Sequence, residues 1–125
     1  MMGAILIVTS PERRESIFRG ADDLMERAVC ATTCQEAREI LACGPEPAVV
    51  ITDLSLPDGN WWSLYRDIAD SGLETECVVL AHEAGADHSS MLASGAFAVV
   101  EPPWPVDELR RVVRAAEEHT VATAH

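Results

Sequence analysis

Asp53 is the residue around which chemistry in this chain would be organised. It closes the run Val49-Val50-Ile51-Thr52 and leads into Leu54-Ser55-Leu56-Pro57-Asp58-Gly59. A short continuous apolar run bounded by turn residues reads as a parallel strand buried on both faces. An acid at the end of that strand stands at the carboxyl edge of the sheet, where open α/β folds place their sites. A carboxylate in that position can hold a hard cation or accept a transferred group. His82 is the one residue that could couple with it, and no nucleophile–base pair is otherwise legible at this edge, so an enzyme is not expected. The cysteines Cys30, Cys34, Cys43 and Cys77 form no CxxC pair, and His82, His88, His119 and His125 are scattered. Zinc sites bring ligands in tight pairs, so reduced and mostly buried thiols are expected, with no metal site among these residues.

The elements that must position Asp53 follow from hydrophobic pattern and turn chemistry. Residues 4–8 (AILIV) read as the first strand. Ser10-Pro11 supplies a helix N-cap with proline at the first helical position. Ile17, Ala21, Leu24 and Ala28 then recur at helical spacing, which predicts a helix to about Glu26. A short strand follows at 28–31. Thr33-Cys34-Gln35-Glu36 is a capping box, and the helix it opens buries Ala37, Ile40 and Leu41 before Gly44-Pro45 stops it.

After the Asp53 strand and its turn, a helix from about Asn60 buries Trp61, Leu64 and Ile68 and ends at Ser71-Gly72. Consecutive helical positions point about 100° apart, so Trp61 and Trp62 cannot both be centred on the core; one of them is expected to be partly exposed. Residues 77–81 make a fourth strand and 82–87 a loop. A short helix through Met91 and Leu92 closes on Gly95, and 97–100 form the fifth strand. Pro102-Pro103-Trp104-Pro105 turns into a last helix that buries Val106, Leu109, Val112, Val113 and Ala116. Five strands alternating with five helices over short connections predict an α/β fold with a parallel sheet covered on both faces. One domain over residues 1–119 is expected, with 120–125 a frayed tail.

Composition narrows the partners. The 125 residues are 48% hydrophobic, enough for one globular core. Nine basic against 21 acidic residues give a net charge of −12, which disfavours a nucleic-acid backbone and favours a basic protein surface. No apolar run approaches the roughly 20 residues of a membrane span. No basic segment precedes the first apolar run, so a cytoplasmic setting is expected.

Several landmarks together resemble the receiver domain of bacterial two-component response regulators. They are the strand-ending Asp53, the Leu56-Pro57-Asp58-Gly59 turn, Gly95-Ala96-Phe97 before the last strand, and Pro103 followed by an aromatic and a Val-Asp-Glu-Leu helix start. The resemblance covers residues 4–116 and implies a flavodoxin-like, doubly wound five-stranded sheet in the order 2-1-3-4-5. It implies that Asp53 holds the position that accepts a phosphoryl group from a histidine kinase. It also implies a cis bond before Pro103.

In a working receiver an acidic pair at the end of the first strand helps to hold magnesium. A hydroxyl residue ends the fourth strand, and a lysine before the proline pairs with the phosphate. Here those positions are Thr9 and Ser10, Ala81, and Pro102, and the switch aromatic of the fifth strand is Val99.

The expected function is therefore that of an atypical, degenerate receiver, a phosphorylation-independent protein-interaction or dimerisation module that needs no cofactor. Its expected pairing face is the one the family builds from the fourth helix, fifth strand and fifth helix, residues 87–95, 97–100 and 106–116. The first helix is the family's kinase-docking surface. Arg110, Arg111 and Arg114 give the last helix a basic edge. The alternative is a conventional receiver phosphorylated on Asp53 by a histidine kinase, and only that reading requires Mg2+.

Overall fold

A computed structural model describes residues 4–44, 46–82 and 88–123 of the chain, with side chains to residue 119. Strands β1 (Ile5–Val8), β2 (Ala28–Ala31), β3 (Val49–Asp53), β6 (Glu76–Leu80) and β7 (Ala98–Val100) form one parallel sheet in the order β2-β1-β3-β6-β7. Two further strands, β4 (Ser55–Leu56) and β5 (Gly59–Asn60), pair only with each other, as a hairpin around Pro57-Asp58. Without that hairpin the sheet order is the expected 2-1-3-4-5. The helices are α1 (Pro11–Ile17), α2 (Asp22–Met25), α3 (Cys34–Cys43), α4 (Trp61–Asp70), α5 (His88–Ala93) and α6 (Val106–Thr123).

Alternation along the strands splits the core into two layers. Ile5, Ile7, Val49, Ile51, Val78 and Leu80 face Ile17, Phe18, Leu109, Val112 and Val113 of the helices on one side. Leu6, Val8 and Val50 face Ala37, Leu64 and Ile68 on the other. Every residue of β1 and β3 is buried, as central parallel strands require. Asp53 is thereby fixed at the end of the most enclosed strand, opposite Leu80 of β6.

Three expectations change. The single helix to Glu26 is two helices, because Gly20 adopts φ 86 and turns the chain between them. Arg110 Nη2 donates to the Gly20 carbonyl at 3.0 Å and fixes that turn. Ile17, Ala21 and Leu24 still face the core, which is why the apolar spacing hides the break. The capping box is a variant: Thr33 Oγ accepts from the Glu36 amide at 3.0 Å, but the Glu36 carboxylate reaches the amide and hydroxyl of Thr32. The last helix continues to Thr123, past the end expected after His119, and no glycine or proline interrupts it there.

Of the four cysteines, all free, Cys34 and Cys77 are buried and Cys30 is half-buried, but Cys43 is exposed. The expected loop at 82–87 and Pro45 fall outside the described residues, apart from His82, which is exposed.

Candidate functional site

Two loops at the carboxyl edge converge on Asp53. β1 ends at Val8, and Thr9 follows completely buried, its amide donating to the Ala31 carbonyl at 3.0 Å. That placement aims the Thr9 hydroxyl across to β3, where it donates to Asp53 Oδ2 at 2.5 Å. Ser10 then caps α1, its Oγ accepting from the Arg13 amide at 3.3 Å. Serine cap and Pro11 together set the direction of the first helical turn.

That turn carries Arg13 onto the same carboxylate. Arg13 Nε donates to Asp53 Oδ1 and Oδ2, both at 3.0 Å. Nη2 lies 2.8 Å from Oδ1, close enough for an ion pair although its N–H vectors are poorly directed for a hydrogen bond. Asp53 is only 4% exposed, while the Arg13 side chain is 29% exposed. A buried carboxylate is costly unless it is paired and hydrogen-bonded, and here it is both.

The guanidinium also stands over an aromatic ring. Arg13 Cζ stands 5.1 Å from the centroid of Trp104, within cation–π range. Trp104 Nε1 donates to the Ala81 carbonyl at 3.0 Å, and the Trp104 amide donates to Glu101 at 2.9 Å. Trp104 has φ 51, the left-handed region that bulky residues seldom occupy, so these contacts hold an unfavourable backbone in place. The bond between Pro102 and Pro103 is cis, as expected. One run of contacts thus links Thr9, Asp53, Arg13, Trp104 and Ala81 across the sheet edge.

The remaining candidate residues divide clearly. Ala81 is buried at the end of β6 and offers only its backbone. Pro102 has no amide proton to donate, and Val99 sits half-buried in β7. Asp58 faces α3, where it accepts from the amides of Cys34 at 2.7 Å and Gln35 at 3.0 Å. The Cys34 amide, then that of Gln35, holds the Asp58 carboxyl below its ordinary range. Trp61 is buried at 6% exposure, whereas Trp62 is 41% exposed and lies under Arg66, 4.9 Å from its ring. Concavities of about 370 and 470 Å³ lie along α3, the first lined by Arg38, Leu41 and Asp67, the second by Val29, Ile40 and Cys43; neither is lined by Asp53.

Arg13 is the site residue that the sequence did not disclose. A cation in the first turn opposes the helix dipole, which favours acids there, but Glu12 in the same turn offsets it, so this preference alone did not point to Asp53.

The sequence matches no protein-family model and no curated protein. Solved structures match its fold closely. The signal receiver domain assigned to a LuxO repressor protein of Vibrio parahaemolyticus superposes with a TM-score of 0.86 at 18% identity, over 99% of this chain and 96% of that one. The N-terminal domain of a response regulator protein from Carboxydothermus hydrogenoformans gives 0.80 at 22% identity, over 98% and 99%. The receiver domain of a sensor histidine kinase from Pseudomonas aeruginosa, solved with a magnesium ion in its active-site cleft, gives 0.77 at 16% identity, over 94% and 99%. The chain has the receiver-domain fold.

The residues at its sheet edge do not fit a magnesium ion. Magnesium demands near-octahedral oxygen ligation and is usually held by carboxylates. Asp53 supplies a carboxylate at the end of β3, and both its oxygens already accept from Arg13 or Thr9. Among those residues no group of three or more His, Cys, Asp or Glu side chains is arranged to hold a metal. No described helix is long and apolar enough to cross a membrane.

Proposed function

We propose that this chain is an atypical receiver domain acting in signal transduction as a phosphorylation-independent protein-interaction or dimerisation module. The observation that carries the reading is the commitment of Asp53, whose carboxylate is enclosed by Thr9 and Arg13. An attacking carboxylate oxygen must be free to approach phosphorus, with cations placed to take up the developing charge. Here the nearest cation is bonded to the nucleophile itself, and Pro102 stands where the resemblance places a phosphate-binding lysine. Ala81 has no hydroxyl with which to register a phosphoryl group.

What remains is surface. The pairing face implied by the resemblance corresponds to α5, β7 and α6, where Leu92 stands exposed on α5. Trp62 adds an exposed aromatic stacked by Arg66, residue types that anchor protein interfaces. The partner is a protein or a second copy of the chain. A histidine kinase docking along α1 belongs to the alternative, in which Asp53 accepts phosphate and Mg2+ is required.

Partner capture by the intact chain and by Asp53→Asn tests the reading. Equal recovery in the presence and absence of a small phosphodonor supports it. Recovery that depends on the donor, and is lost in the Asp53→Asn protein, supports the alternative.

A further inference from the structure

We propose that Arg13 is the resident cation of this pocket: it balances Asp53 from within the chain and, through that pair, fixes the Trp104 corner against Ala81. The proposal rests on the phosphate-free reading of the site and names how the site is held. A buried carboxylate is costly to enclose unless a positive charge and hydrogen bonds accompany it. Arg13 supplies that charge at 2.8–3.0 Å, with its Nε directed to both carboxylate oxygens.

The guanidinium spans two neighbours at once, which a compact ammonium does less well. Its Nε–H is shared between both carboxylate oxygens, and its Cζ stands over the Trp104 ring. Asp53 and Trp104 thus share the one guanidinium as a neighbour. Trp104 opens the segment leading into α6 and holds φ 51, so it is the residue at this edge most in need of an external brace. Its indole N–H reaches Ala81 at the end of β6 only while the ring keeps its present plane. Asp53 thereby positions Trp104 without touching it, and Arg13 is the positioning residue between them.

The indole N–H resonance of Trp104 reports this coupling directly, and the loss of that signal in Trp104→Phe assigns it among the three tryptophans. In Arg13→Gln the signal should shift, and its N–H should exchange with solvent about five-fold faster, as expected when one hydrogen bond is loosened. Asp53→Asn should shift it in the same direction, and the double variant should add little to either single change. Arg13→Lys should recover folding stability but leave the Trp104 signal displaced, because the compact ammonium cannot contact Asp53 and cover the Trp104 ring at once. Arg14→Gln, on the neighbouring position, should leave the signal unchanged.

A Trp104 signal that stays in place in Asp53→Asn, or single effects that sum in the double variant, would overturn the coupling. If Arg13→Gln does not fold, Asp53→Asn decides the matter alone. Phosphorylation of the native chain at Asp53 would remove the phosphate-free reading yet leave these shifts to be judged on their own.

Discussion

Arg13 Nη2 lies 2.8 Å from Oδ1 of Asp53, joining the first turn of α1 to the end of β3. Removing one partner of such a pair leaves the other uncompensated, which costs more than the pair itself contributes. Arg13 is nearly a third exposed, so solvent screens part of that cost. Arg13→Ala is expected to destabilise the fold by about 2 kcal/mol, and Arg13→Ala/Asp53→Asn by less than the sum of the single changes. Urea denaturation of the four proteins measures this, and strict additivity would contradict a direct pair.

Asp58 supports the site indirectly by capping α3. The Cys34 amide chiefly, and the Gln35 amide next, hold its pKa below the ordinary 3.8. Hydrogen bonds from Arg110 lower Asp23, and those from Thr32 lower Glu36 from 4.5. A carboxyl whose pKa is depressed on folding adds stability above its unfolded value and loses it as the pH falls through the folded one. Stability is therefore expected to be flat near neutrality on account of these groups and to decline once the pH drops below the values of 3.8 and 4.5. Asp58→Asn should flatten part of the acid decline, and urea midpoints from neutral pH downward would show it. An Asp58 resonance titrating above 3.8 would exclude the capping role.

The thiols should separate by reactivity. Burial pushes Cys77 up to about 12 and raises Cys34, with the Asp58 charge adding to the latter. Thiolate is the reactive form, so a disulfide reagent at neutral pH should label the exposed Cys43 first. Cys34 and Cys77 should react only as the protein opens. Equal rates at Cys43 and Cys77 would place β6 nearer solvent than described.

Gly95 closes the turn between α5 and β7 at φ 126, and a Cβ there would overlap the Tyr65 ring. Backbone strain and overlap act together, so Gly95→Ala should cost about 2 kcal/mol or more. Removing the ring with Tyr65→Ala should recover part of the loss, measurable as a smaller thermal midpoint shift for Gly95→Ala in that background. Equal penalties with and without Tyr65 would assign the whole effect to the backbone.

Much of the sheet was readable because parallel strands buried on both faces carry apolar runs, as at Ile5–Val8 and over residues 49–51 of β3. The Trp61–Trp62 contrast was readable for an equally simple reason: adjacent helical residues diverge in direction. The break at Gly20 was not, since Ile17 and Leu24 keep facing the same layer on either side of it. Asp53 and Thr9 could be set at one sheet edge by their order along the chain. Arg13 could not, because two adjacent arginines, Arg13 and Arg14, on a short helix look alike as solvated charges until the Ser10 cap gives the helix its direction. The acid was visible, and its counter-ion was a matter of geometry.

Intact-mass analysis after incubation with a small phosphodonor and Mg2+ tests the central claim most directly. An unmodified chain is expected, identical in behaviour to Asp53→Asn. Stoichiometric gain of one phosphoryl group on the native chain, absent from Asp53→Asn, would contradict the account.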